Sequence, residues 1–256
     1  MMPLAFSLDR TIEIGARRAT VFAYFTDSAR WARWWGAGST IDPVVGGAVR
    51  IRYPDGSTAS GIVKELAPDR LIAFTYGYDD PKQPIAPGGS LVTITLTDVP
   101  AGTRLVLRHD VADAAARDLH AAGWRHQLAV FAHVVADAVF SPAAIEGWFA
   151  AWNTDDPRAH LAVAPGVTFR DAHGCTAGVD ELVGHIAALH RFMAGVKLEP
   201  RGTPRHAHGT VLADWAMTRG DQTVATGTNV FRLDADGRVA DCVGITAPVS
   251  SRGRTA

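Results

Sequence analysis

Two polar residues stand where strand alternation calls for apolar ones, and together they could move a proton. In Val167-Thr-Phe-Arg-Asp171, the side chains of Val167, Phe169 and Asp171 share one face of an extended chain, while Thr168 and Arg170 take the other. Farther on, Ala225, Gly227, Asn229, Phe231 and Leu233 share a face in the same way, so Asn229 points with the apolar set. A carboxyl group facing a core is costly unless it is paired, protonated or used. Desolvation would raise its pKa and suit it to taking a proton from a carbon beside a carbonyl. The Asn229 amide could then donate to the enolate oxygen that forms. His173 is near enough in sequence to orient Asp171 or share its proton. A second reading stays open: Asp171 caps the turn at His173 and Gly174 by accepting from backbone N–H groups.

Other residues with chemistry to offer are weaker candidates. His206 and His208 lie two apart on one strand face, a spacing that can begin a metal site. No third ligand sits near them in sequence, and Arg205-His-Ala-His-Gly209 reads more simply as a polar strand end. No metal and no cofactor are expected. Cys175 and Cys242 form no metal-spaced cluster, and Cys242 fits a small buried residue in an apolar strand. Trp152 and Trp215 are candidates to line a pocket, against the plainer reading as core.

The elements that must hold these residues fall into two successive α+β units. The first opens with a strand around Thr11 to Ile14 and a helical stretch, Arg17 to Trp35, that Asp27 or Ser28 restarts as an N-cap. Five strand-like runs follow between Ala48 and Asp110, with turn signals at Pro54-Asp-Gly56, Ala67-Pro-Asp69, Pro87-Gly-Gly89 and Pro100-Ala-Gly102. A long helix from about Asp113 to Phe140 closes the unit, with Trp124, Leu128, Phe131 and Val135 on one face. Ser141-Pro142 suits the start of another helix, which places the domain boundary between residues 140 and 141. The second unit reads as a helix from Pro142, a short helix after Asp155-Asp-Pro157, and the strand ending at Asp171. A helix from Val179 to Met193 follows, then strands over about 197–208, 210–218 and 223–233. Asp234-Ala-Asp-Gly237 turns into a last strand, and the tail Ser-Ser-Arg-Gly-Arg-Thr-Ala is expected to be disordered.

Composition narrows the partners. The chain has 256 residues, 47% of them hydrophobic and 20% charged, enough for a core in each unit. The formal net charge is -1 and no run of Lys or Arg exceeds two residues, which argues against nucleic acid or an anionic membrane as the main partner. No apolar stretch is long enough to span a bilayer, and the start reaches Asp9 and Arg10 before a signal-peptide core could form. A soluble, cytoplasmic protein is expected.

The first half resembles the START-like helix-grip superfamily, in the branch named for heat-shock protein 90 ATPase activator homologues. The resemblance covers about Thr11 to Phe140. It rests on the order of elements, on Phe25-Thr-Asp-Ser-Ala-Arg-Trp-Ala-Arg-Trp-Trp-Gly36, and on Leu107-Arg-His-Asp110 followed by His120-Ala-Ala-Gly-Trp124. It implies a long C-terminal helix gripped by a curved sheet, with a cavity between them. His109 shares a strand face with Leu105 and Leu107, and His120 a helix face with Trp124 and Phe131. Both histidines and Trp124 would then face that cavity, with Trp31, Trp34 and Trp35 at its mouth. The plainer alternative is that each histidine satisfies a buried backbone group, or that they bond each other.

The second half, about Pro142 to Thr246, resembles the SnoaL-like branch of the nuclear transport factor 2-like superfamily, on Trp148-Phe-Ala-Ala-Trp-Asn-Thr-Asp through Asp171 and on Ala225-Thr-Gly-Thr-Asn-Val-Phe-Arg through Gly244. That superfamily includes polyketide cyclases, ketosteroid isomerase, dehydratases and binding domains, so fold alone does not choose a function. It implies a cone-shaped α+β barrel and a homodimer through this domain. Set beside ketosteroid isomerase, Asp171 matches the general base, Trp148 the oxyanion-holding tyrosine and Asn229 the protonated acid. The last two departures argue against steroid isomerisation and leave aldol-type cyclisation or another enolisation. Three functions follow as expectations: a cofactor-free cyclase or isomerase, a binding or sensing protein for a small apolar or aromatic metabolite, and a chaperone-associated protein.

Overall fold

A computed structural model describes residues 4–247, so the tail expected to be disordered lies outside the described residues. Residue contacts divide the chain between Ala138 and Val139, at the end of the long helix. Among the described residues, no single helix is long and apolar enough to cross a membrane.

The first unit is a seven-stranded antiparallel sheet with three helices. Strand β1 (Phe6–Ile14) leads to α1 (Arg18–Ala23) and α2 (Ser28–Trp35), then to β2 (Thr40–Ile41), β3 (Ala48–Arg52), β4 (Thr58–Ala67), β5 (Leu71–Tyr76), β6 (Ser90–Val99), β7 (Gly102–Val111) and α3 (Ala114–Val139). The sheet order is β1-β7-β6-β5-β4-β3-β2, so β1 returns to pair with the last strand and the rest is a meander. Asp27 starts α2: its Oδ1 accepts from the Arg30 backbone N–H at 2.8 Å. Asp113 does the same for α3 through Ala116 N–H at 2.8 Å. Along α3, His120, Trp124, Leu128, Phe131 and Val135 are buried at three- and four-residue spacing, the single stripe a helix lying on a sheet requires. The fold is a helix-grip, and the expected first strand proves longer because its N-terminal half pairs with β7 from Phe6 onward.

The second unit opens with α4 (Pro142–Ala151) and a 3-10 turn (Pro157–Ala159). Next come β8 (Val163–Arg170), β9 (Cys175–Ala177), α5 (Val179–Phe192), β10 (Val196–Ala207), β11 (Thr210–Arg219), β12 (Gln222–Leu233) and β13 (Val239–Ala247). Its sheet runs β10-β11-β12-β13-β8-β9, antiparallel except where β13 and β8 pair parallel. Two short strands, β2 and β9, have no signal of their own in the sequence. They exist because a neighbouring strand offers them a ladder.

Register stacks the inner face of this second sheet in layers. Phe169, Cys242, Phe231 and Val211 are cross-strand neighbours and all are buried, forming an apolar floor. The next layer toward the open end carries Asn229, with Gly244 and Ala213 as its partners on either side. The layer beyond pairs Gly227 with Trp215 on one side and Thr246 on the other. Asn153 ties α4 to the sheet: its amide nitrogen donates to Phe149 and Leu198 carbonyls, and its oxygen accepts from Leu198 N–H.

In the first unit, Phe131 joins the long helix to α2 and to the link between α1 and α2, with its ring 4.8 Å from Trp34 and 4.9 Å from Phe25. Phe131→Ala is expected to destabilise that unit by about 3–5 kcal/mol, the cost of a large core cavity, measured by urea unfolding. A loss under about 1 kcal/mol would mean the helix is held elsewhere.

Candidate functional site

Asp171 directly follows β8, and the loop it opens is closed by its own backbone N–H donating to Gly174 O at 2.9 Å. Its two carboxylate oxygens have different partners. Oδ1 accepts the backbone N–H groups of His173 and Gly174 at 2.7 and 2.8 Å, the turn cap anticipated from sequence. Oδ2 lies 3.4 Å from Nε2 of His185, a residue of α5 that the sequence reading did not single out. Both side chains are largely buried. His185 is held by Phe169 and Trp152 rings at 5.4 and 5.9 Å. It packs over Gly174, where a Cβ would come within 3.2 Å of the imidazole. The signal for His185 was helical period: it falls between Leu182, Ile186 and Leu189 on the face α5 turns to the sheet.

These residues open onto a cavity of about 470 Å³, within the range of small-molecule sites. Asp171, His173, His185, Asn229 and Thr246 supply its polar lining. Trp152, Phe169, Leu198, Trp215 and Met217 supply much of its apolar wall. At the rim stands Phe192, the last residue of α5, 85% exposed. The space beside the polar groups exists because residue 244 is glycine. A Cβ there would lie 3.3 Å from both Asp171 Cβ and Asn229 Oδ1, closing the gap between them.

Asn229 is 4% exposed and accepts at Oδ1 from the Trp215 indole N–H, 3.1 Å away. Trp215 reaches this position by lying across its cross-strand partner Gly227, where a Cβ would clash at 2.3 Å with the indole ring. Asp171, Asn229, His173, Trp152 and Trp215 are therefore brought together around one cavity. Trp148 is not. Helix period turns it into the core, where it is fully buried against Trp152, Phe169 and Phe231, and its Nε1 has no hydrogen-bond partner there. The oxyanion-holding position implied by resemblance is thus corrected: Trp148 does not line the cavity. His206 accepts at Nε2 from Gly209 N–H and stacks on Phe140.

The first unit also departs from expectation. Trp31, Trp34 and Trp35 do not ring a cavity mouth but fill the core, all at most 4% exposed. Trp34 and Trp35 centroids lie 4.4 Å apart, and Trp35 packs on Trp124 at 5.6 Å. The physical reason is α2, whose i, i+3, i+4 spacing turns all three indoles onto the sheet. His109 and His120, expected to face a cavity, are part of that core with Trp124. The indole Nε1–H of Trp124 donates to His109 Nδ1 at 3.0 Å, which leaves the imidazole proton on Nε2, 2.8 Å from Ser90 Oγ. Ser90 in turn donates to Tyr76 O at 2.8 Å. His120 Nδ1 donates to Ala116 O at 2.7 Å. Burial, with the adjacent His120, pushes His109 down to about 3, and burial lowers His120 as well.

The two units thus have the architectures of a helix-grip domain and a cone-shaped α+β domain. The family model for Activator of Hsp90 ATPase homolog 1-like protein matches residues 15–136, and that for the SnoaL-like domain matches residues 145–242. The chain carries an activator-homologue-like domain followed by a SnoaL-like domain. Among solved structures, a SnoaL-like family protein from Agrobacterium tumefaciens is 27% identical, with 41% of this chain and 94% of that one covered and a TM-score of 0.39. An activator-homologue-like protein from Rhizobium etli is 30% identical, with coverage of 51% and 81% and a TM-score of 0.41. The Aha1 dimer from Colwellia psychrerythraea is 18% identical, with coverage of 48% and 90% and a TM-score of 0.42. No curated protein matches the chain.

Two predictions follow from this geometry. The unfolded chain protonates His109 near the ordinary imidazole value of 6.5 and the folded one only near 3, so the unfolded state binds more protons between these limits. Stability is therefore full above pH 6.5 and falls on acidification toward 3, by at most about 1.4 kcal/mol per pH unit for this group. His109→Gln should flatten that slope, read from β7 amide exchange in urea at pH 7.5, 6 and 5; an unchanged slope would contradict a neutral buried imidazole. In the second unit, a Cβ at Gly227 would meet Ile245 O at 2.2 Å and the Trp215 indole at 2.3 Å, so Gly227→Ala should cost about 1–3 kcal/mol, and full stability in urea melts would show that both neighbours have room to move.

Proposed function

We propose that the second domain binds a small apolar or aromatic carbonyl compound and moves a proton at the carbon beside its carbonyl. The observation that carries this reading is the approach of His185 to the free oxygen of Asp171, inside an apolar cavity that Asn229 also lines. Asp171 Oδ2 takes the proton and His185 shares it, while Oδ1 stays bound to the turn and keeps the carboxylate from rotating. The electron pair of the broken C–H bond moves to the carbonyl oxygen, and the Asn229 amide donates to the enolate so formed. The proton can return to the same carbon or to another one, or the enolate carbon can attack an electrophilic carbon of the same molecule. The first outcome is exchange, the second isomerisation, the third an aldol-type cyclisation.

Trp152, Phe169, Trp215 and Met217 favour a flat, apolar ligand body. The reading needs no metal and no cofactor. The first domain, its core closed by indole and imidazole rings, serves as a structural companion in it.

The test uses α-tetralone, a bicyclic aromatic ketone, in heavy water with deuterium uptake beside the carbonyl followed by NMR. Asp171→Asn should lower catalysed exchange by about 10²–10⁴-fold, the usual worth of a general base. His185→Phe should lower it by about tenfold or more, with binding of the ketone kept in both variants. Exchange that survives Asp171→Asn would remove Asp171 from the mechanism. Binding of the ketone with no exchange above buffer would make this a binding pocket.

A further inference from the structure

We infer that Trp215 is a positioning residue that fixes the Asn229 amide with its N–H₂ toward the cavity, making the pocket selective for a ligand that presents an acceptor oxygen. The inference rests on the reading of the second-domain cavity given above, and it adds what the cavity selects for.

An indole nitrogen donates and cannot accept. The contact of 3.1 Å between Trp215 Nε1 and the Asn229 side chain therefore requires the amide oxygen on the indole side. Rotating the amide by half a turn would set N–H against N–H and lose the bond. Nδ2 is left as the other end of the group, and among the described residues it has no protein acceptor. It is also not among the buried polar atoms sealed away from solvent without a partner, so its open side faces the cavity that Asn229 lines. A side chain 4% exposed thus keeps two N–H donors for whatever enters.

The backbone is arranged for this. Gly227, between Trp215 and Thr246 in the ladder, lets the indole lie flat across β12 and reach residue 229 along the same strand. Gly244, the other cross-strand partner of Asn229, keeps a Cβ from crowding Asn229 Oδ1, which it would approach to 3.3 Å, and so leaves the amide undisturbed in the orientation the indole sets. Gly227 thus gives the indole its place over the strand, and Gly244 keeps the oxygen edge of the amide uncrowded. A ligand with a carbonyl, enolate or phenolate oxygen satisfies Nδ2, whereas a hydrocarbon of the same shape leaves that donor desolvated.

The experiment compares α-tetralone with tetralin, the same bicycle without the oxygen, by intrinsic tryptophan fluorescence titration on the full chain. Wild type should bind the ketone about tenfold or more tightly than the hydrocarbon. Trp215→Phe, which keeps an aromatic body and removes the N–H, should reduce that preference to about that of Asn229→Leu. The preference is an equilibrium ratio and the deuterium exchange a rate on the same wild-type protein, so a failure of proton transfer is read separately from a failure of this inference. A preference that persists in Trp215→Phe, or none in wild type, overturns it. Should Trp215→Phe fail to fold, ¹⁵N NMR of the wild type decides. The ketone should shift the Asn229 Nδ2 resonances and leave the Trp215 indole N–H protected, and a ketone that instead moves the indole N–H would show the donor to be Trp215 itself.

Discussion

The second domain depends on how one carboxylate is divided. Asp171 directly follows a strand whose alternation commits its side chain to the inner face, and it is itself the first residue of the four-residue loop that must turn into the next strand. Oδ1 answers the turn through two backbone donors. That fixes the carboxylate plane and leaves Oδ2 directed at His185. A carboxylate free to rotate would serve neither task well. The capping bonds that look like a structural alternative to chemistry are what make the chemistry geometrically defined.

Around that group the sheet is graded. One layer deeper, Phe169, Cys242, Phe231 and Val211 close the floor without a polar atom except the Cys242 thiol, which burial and the nearby Asp241 and Asp171 keep protonated. At the level of Asn229 the side chains shrink, with Gly244 on one side and Ala213 on the other, and the space lost to packing becomes the cavity. The first domain solves the same curved-sheet problem in the opposite way. Its helix and sheet meet through four indoles, with Trp124, His109 and Ser90 passing hydrogen bonds inward until each polar atom in that line is matched.

Much of this was legible in the sequence, and the failures have identifiable causes. Strand period placed Asp171 and Asn229 on inner faces, because side-chain direction in a strand follows from parity alone. Helical spacing could not tell a cavity from a core: Trp31, Trp34 and Trp35 on α2 have the spacing of both, and only packing distances decide. Trp148 failed because resemblance fixes a position along a helix and not the size of the side chain filling it; an indole there completes the core. His185 was passed over although its helix was assigned, since its partner lies fourteen residues away on another element and pairing across elements leaves no local trace. The roles of Gly227 and Gly244 likewise leave no local trace and emerge only with their cross-strand partners.

The measurement that bears most directly on this account is a crystal structure of the full chain with α-tetralone bound. The account predicts the ketone inside the second-domain cavity, its oxygen within hydrogen-bond distance of Asn229 Nδ2 and the adjacent carbon facing Asp171 Oδ2. A ketone seated with its oxygen toward the Phe192 rim, or held by the first domain, would contradict it.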